Sequence, residues 1–128
     1  MVYLFDTYAW IEYLLGSKKG TIVKKIIDNP KNNIITLDSC IAEVYLWCLR
    51  EGKDFRFSFN LIKNYSSIEQ IHLTNWIEAA KIRHENRKKT SRFGIMDAIV
   101  LSKQKEIGCE ILTGDKHFED LKKVIFLE

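Results

Sequence analysis

Val2 to Phe5 is an unbroken run of apolar and aromatic residues that ends at an acid, Asp6. A short continuous run of this kind suits a strand buried on both faces, the usual state of a strand inside a parallel sheet. The pattern therefore predicts a central first strand, with Asp6 at its carboxyl end and Asp6 or Thr7 capping the next helix. Ala9 to Leu15 carries Trp10, Ile11, Tyr13, Leu14 and Leu15 and stops at Gly16-Ser17. Ile22, Val23, Ile26 and Ile27 set against Lys24, Lys25 and Asp28 give a second helical period that ends at Asn29-Pro30. Ile34 to Leu37 is short and rich in β-branched residues, which predicts the second strand, with Asp38 or Ser39 placed to cap a third helix.

Ile41 to Arg50 is apolar nearly all the way round, so this helix is expected to be covered on more than one side, by the core or by a second chain. Residues 53–65 read as another helix, although the alternation of Phe55, Phe57 and Phe59 equally suits a strand. Ile68 to Leu73 reads as a third strand on its length and flanks. From Asn75 the positions of Trp76, Ile77, Ala79, Ala80 and Ile82 are helical. Ile95 to Ile107 is the clearest late helix, stopped by Gly108. Cys109 to Thr113 then predicts a strand, Gly114-Asp115 a turn, Phe118 to Lys123 a short helix and Val124 to Leu127 a last strand. Strands alternating with helices over 1–128 predict a single domain, a three-layer α/β/α sandwich with a central, mainly parallel sheet.

Composition narrows the picture. The chain has 128 residues, 46% hydrophobic and 29% charged, which is enough to bury a core without disulfides or metals as staples. Three cysteines with no C-x-x-C pair do not make a disulfide framework, and Cys40 and Cys48 on one helix stand about 12 Å apart, too far to bridge. A reducing, cytoplasmic location is the expectation. Asp6 interrupts the first apolar stretch, no basic segment precedes it, and no run reaches membrane-spanning length, so neither a signal peptide nor a membrane span is expected. The net charge of +3 says little. Its distribution says more, because Lys81, Arg83, Arg87, Lys88, Lys89 and Arg92 fall close together with Glu85 the only acid among them. This is either a solvated face or a phosphate-contacting patch, with Arg83, Arg87, Lys88, Lys89 and Arg92 the candidate substrate contacts.

Three acids hold equivalent positions: Asp6 after the first strand, Asp97 in the first turn of the late helix and Asp115 after the fourth strand. Each alone is explained as a helix cap, a role that aspartate favours. Together they are more than that, because helix starts and strand carboxyl ends lie at one edge of such a sheet. Glu43 is the fourth acid, set among apolar helical neighbours, and its alternative is a salt bridge to Arg50 on the same face. Four carboxylates in one pocket cannot all stay ionised without a cation. Oxygen ligands select a hard divalent ion, Mg²⁺ or Mn²⁺, the apparatus of phosphodiester cleavage. His72, His84 and His117 do not pair by spacing and are expected in loops or on helix surfaces. The cysteines are expected in the core, and Glu12, Glu119 and Asp120 in solvent, with Glu119 the reserve ligand.

Phe5-Asp6-Thr7 with Trp10-Ile11-Glu12-Tyr13-Leu14, the Glu43 helix, Gly94-Ile95-Met96-Asp97-Ala98-Ile99 and Leu112-Thr113-Gly114-Asp115-Lys116-His117-Phe118 together resemble a PIN domain, and most closely the VapC toxin ribonucleases of prokaryotic toxin–antitoxin pairs. The resemblance spans nearly the whole chain in order. It implies a metal-dependent endoribonuclease with Asp6, Glu43, Asp97 and Asp115 as its acidic quartet. Asp6, Asp97 and Asp115 would hold Mg²⁺ or Mn²⁺, with the Thr113 hydroxyl and Thr7 in support. It also implies an RNA substrate, a VapB-like antitoxin partner and a homodimer. Tyr8 departs from the pattern, since the family often has a small serine there. A PIN-fold nuclease that processes RNA without being a toxin, or an inactive PIN-like subunit, is the alternative. A response-regulator domain needs adjacent acids after the first strand, and a haloacid-dehalogenase-like phosphatase needs Asp-x-Asp; Thr7 and Tyr8 exclude both.

Overall fold

The structure is a computed structural model that describes residues 1–86 and 93–128. In chain order its elements are β1 (Val2–Phe5), α1 (Thr7–Leu15), α2 (Lys18–Asp28), β2 (Asn33–Leu37), α3 (Asp38–Glu51), α4 (Phe55–Tyr65), β3 (Ser67–Glu69), α5 (Leu73–Asn86), α6 (Ile95–Ile107), β4 (Glu110–Thr113), a 3-10 turn (Lys116–Phe118) and β5 (Val124–Phe126). The five strands form one sheet in the order β3-β2-β1-β4-β5, and every pair is parallel. The apolar run at the amino terminus is indeed the central strand. Its alternate residues serve opposite layers, as strand geometry requires. Tyr3 and Phe5 pack with Trp10, Val23, Val44 and Trp47 of α1 to α3, whereas Leu4 packs with Ala79, Ile82, Ala98 and Ile99 of α5 and α6. The chain is therefore an α/β/α sandwich with one core on each face of the sheet.

Two polar links tie the first layer down. Trp10 is fully buried, and its Nε1 donates to Thr36 Oγ1 at 3.0 Å, which meets Ser66 Oγ at 2.7 Å. A large ring buried with its N–H satisfied fixes α1 across β2. The three cysteines are buried and free, and burial pushes the Cys40 thiol up to about 12, so it stays protonated as a core residue.

Several expectations change. Residues 55–65 are helical, so the Phe55, Phe57, Phe59 alternation does not mark a strand. Phe57 is 63% exposed, and Asp54 caps the helix by accepting from Phe57 N. The third strand is only Ser67–Glu69, because two side chains take the next backbone donors. Asp38 Oδ2 accepts from Ile71 N, Asn75 Oδ1 accepts from His72 N at 3.0 Å, and α5 begins at Leu73. Asp38 thus opens α3 without capping it. The short helix expected at Phe118 to Lys123 is a single 3-10 turn ending at Phe118, after which Asp120 and Lys123 adopt left-handed φ of 72° and 56°. Non-glycine residues in that region do not continue a helix. The helix over Ile41 to Arg50 buries Val44, Trp47 and Cys48 in the core, while Leu46 and Leu49 are 55% and 66% exposed, so this chain leaves its outer face uncovered.

Candidate functional site

The chain leaves β1 towards β2 and β3 on one side, and β4 and β5 lie on the other, so the strand order reverses between β1 and β4. The carboxyl ends of strands at such a reversal open a crevice, where open α/β sheets bind ligands. Asp6 follows β1 and Asp115 follows β4, and the two strand ends are held in register by Asp6 N donating to Leu112 O. Asp6, Thr7, Tyr8, Glu43, Met96, Asp97, Asp115 and Phe118 line one cleft there, of about 90 Å³. All four acids singled out in the sequence reach it.

Each aspartate is also a cap, so capping and cleft lining are not alternatives. Asp6 Oδ1 accepts from Ala9 N at the start of α1 (2.9 Å), Asp97 Oδ2 from Gly94 N at the start of α6 (2.9 Å), and Asp115 Oδ1 from His117 N at the 3-10 turn (2.9 Å). Capping fixes each carboxylate on a rigid helix start, with the N–H dipoles offsetting part of its charge. Thr113 joins the two strand ends: its hydroxyl donates to Asp6 Oδ2 and accepts from Asp115 N at 2.9 Å. Glu43 makes no bridge to Arg50. It reaches across to α1, where Thr7 Oγ1 donates to Glu43 Oε1 at 2.8 Å.

The electrostatics favour a cation. Burial pushes the Asp6 carboxyl from 3.8 up to about 7, and the charges of Asp115 and Glu43 add to the rise; hydrogen bonds from Thr113 and Ala9 only partly oppose it. Asp97, Asp115 and His117 each offer a ligand atom, and the three atoms lie within 4.8 Å of one another, the one such group among the described residues. Clustered oxygen donors and a carboxyl whose ionisation is resisted fit a divalent ion.

His117 is the residue that spacing does not single out. Its expected place is a surface, but its Nδ1 lies 2.9 Å from Asp97 Oδ2 and 3.5 Å from Asp115 Oδ1. Its sequence signal is its place two residues after an acid of the set, inside the Leu112 to Phe118 motif. Glu119, the expected reserve ligand, is exposed and does not line the cleft. Glu12 accepts from the Ser17 hydroxyl at the far end of α1. Arg83 sits half-buried in the last turn of α5 and does not line the cleft. Arg87, Lys88, Lys89 and Arg92 lie outside the described residues. Tyr8 fills one wall: a Cβ built on Gly114 would run into its ring, and Lys19 Nζ donates to its hydroxyl at 3.0 Å. The bulky ring at this position narrows the cleft where a serine would leave it open.

A family model for the PIN domain matches residues 3–124. The chain belongs to the PIN domain family. No curated protein matches this PIN domain in sequence. Its fold is shared with solved VapC toxins of toxin–antitoxin pairs. A toxin–antitoxin complex from Klebsiella pneumoniae superposes with a TM-score of 0.76 at 20% identity, covering 98% of each chain. VapBC2 from Rickettsia felis, bound to a DNA fragment from its promoter, gives a TM-score of 0.75 at 15% identity over 98% of this chain and 97% of that one. VapC20 from Mycobacterium tuberculosis, a toxin that cleaves the sarcin-ricin loop, also gives 0.75 at 15% identity, over 95% and 96%. Within this PIN domain no described helix is long and apolar enough to cross a membrane.

Proposed function

We propose that this PIN domain is a metal-dependent endoribonuclease and the toxin of a VapBC-like pair. The observation that carries the reading is the meeting of Asp6, Glu43, Asp97 and Asp115 in one cleft at the sheet reversal, in a chain of this family. Asp6, Asp97 and Asp115 hold Mg²⁺ or Mn²⁺, directly or through water. When bound, the ion supplies charge neutralisation at the phosphate and lowers the pKa of water. Glu43 keeps Oε2 for the attacking water while Thr7 holds its Oε1, so it orients that water or takes its proton. Thr113 locks Asp6 in place. Arg83 and the basic stretch of Arg87, Lys88, Lys89 and Arg92 meet flanking phosphates of the RNA. In-line attack at phosphorus leaves a 3′-hydroxyl and a 5′-phosphate. The purified chain is expected to cleave RNA with Mg²⁺ or Mn²⁺ and to stop when a chelator is added. Cleavage that survives the chelator overturns the reading in favour of a metal-free acid–base mechanism.

The partner proposed is a VapB-like antitoxin, supported by the fold shared with toxins solved in complex with theirs. Tyr45, Leu46 and Leu49 of α3 with Phe55 and Phe59 of α4 line an open apolar groove of about 640 Å³. An exposed surface of this kind fits an amphipathic segment laid in by a partner. Leu46→Asp is expected to weaken capture of the protein encoded by the adjacent upstream reading frame by tenfold or more and to leave RNA cleavage intact. A partner captured equally well by the variant removes this groove from the interface. A homodimer in the cytoplasm is the state proposed for the free toxin, and sedimentation equilibrium of the purified chain at a monomer's mass would refute it. An adjacent reading frame with no DNA-binding protein would point instead to RNA processing outside a toxin pair.

A further inference from the structure

Beside the carboxylates of Asp97 and Asp115, His117 brings a nitrogen donor. Its position is fixed by the chain on both sides. Asp115 Oδ1 accepts from the His117 backbone N–H at 2.9 Å, and Phe118, next along, is fully buried in the core with Phe93 beside it. The turn therefore presents the imidazole towards α6, with Nδ1 at 2.9 Å from Asp97 Oδ2 and 3.5 Å from Asp115 Oδ1. In an octahedral shell with bonds of about 2.1 Å, neighbouring ligand atoms stand about 3 Å apart. Nδ1 stands at that spacing from Asp97 Oδ2 and somewhat farther from Asp115 Oδ1, and one ligand atom from each of the three residues lies within 4.8 Å of the others. Asp97 Oδ2 is meanwhile held by Gly94 N–H, an outer contact of the sort that orients metal ligands.

We infer that His117 is itself a ligand, giving the ion shared with Asp97 and Asp115 one nitrogen through Nδ1. The inference rests on the proposed metal site and adds to it the identity of one ligand. The neutral ring carries its hydrogen on Nε2 in that state and turns the Nδ1 lone pair inward.

Electron spin-echo spectroscopy of Mn²⁺ bound to the full chain tests this without reference to catalysis. Directly bound nitrogen is expected in the spectrum, changed when the protein is grown with isotopically labelled histidine and lost in His117→Gln. The variant is expected to bind Mn²⁺ about tenfold or more weakly. If Mn²⁺ binds, is displaced in Asp97→Asn, and shows no histidine nitrogen, the inference falls and His117 only positions Asp97. If Mn²⁺ does not bind, or binds equally in Asp97→Asn, the metal site itself falls and the inference with it. The labelled wild-type spectrum decides the matter even where His117→Gln fails to fold.

Discussion

Asp97→Asn is expected to lower RNA cleavage by on the order of 10³-fold while leaving the chain within about 1 kcal/mol of its original stability. Asp97 does two things, and the substitution separates them. Its Oδ2 accepts from Gly94 N–H and so closes the first turn of α6, a role that an asparagine carbonyl can keep. Its charge faces Asp115 and His117 across the cleft, and the amide removes it. Alanine would remove both, and the loss of a cap costs roughly 1 kcal/mol in its own right, which confounds activity with folding. The same reasoning makes Asp6→Asn preferable to Asp6→Ala, because Asp6 caps α1 through Ala9 N. The measurement is cleavage of labelled RNA at saturating Mg²⁺ beside urea denaturation of both proteins. A variant that cleaves at the original rate takes Asp97 out of the reaction.

The second large effect is a stability that falls as the pH rises and that a divalent ion restores. Burial holds the Asp6 carboxyl near 7 in the folded chain against 3.8 in the unfolded one. The folded state therefore binds this proton more tightly, and the stabilisation it brings is complete below about pH 4 and is lost as the pH rises towards 7. With solvent still reaching the rim of the cleft, the contribution is on the order of 2 kcal/mol, less than the full rise would give. On the proposed ligand set an ion held at Asp6 would take the place of this proton, so the two would compete. At one hundred times its Kd an ion adds about 2.7 kcal/mol. Thermal unfolding at pH 5, 6.5 and 8, with and without Mg²⁺ or Mn²⁺, is expected to show a gain from the ion that is largest at pH 8 and smallest at pH 5. A gain that does not depend on pH, or one that persists in Asp6→Asn, would remove Asp6 from the ion's ligands.

Much of the fold could be read from single stretches because the physical cause was local. The Val2 to Phe5 run, the Ile34 to Leu37 run and the apolar spacing of Ile95 to Ile107 each carry their own signal, and the structure has β1, β2 and α6 there. The errors fall where a distant group intervenes. Ile71 N–H goes to Asp38, thirty-three residues away, and so β3 stops at Glu69. The helix expected after Asp115 gives way where Asp120 and Lys123 turn left-handed to bring β5 beside β4 over a short connection. The apolar circumference of α3 gave no means of telling a buried face from one left open for a partner, and Leu46 and Leu49 proved exposed.

The acidic set divides in the same way. Sequence alone determined which acids stand at strand ends and helix starts, because apolar periodicity and capping preference fix those positions locally. It also determined the family, through motifs spread in order along nearly the whole chain. Only the tertiary structure decided how the acids meet. The reversal of strand order between β1 and β4 brings Asp6 to Thr113, across 107 residues, and the 3-10 turn carries His117 back to Asp97, across 20. Those separations follow from the sheet's pairing and from the burial of Phe118, which act on the folded chain as a whole and leave no periodic mark along it.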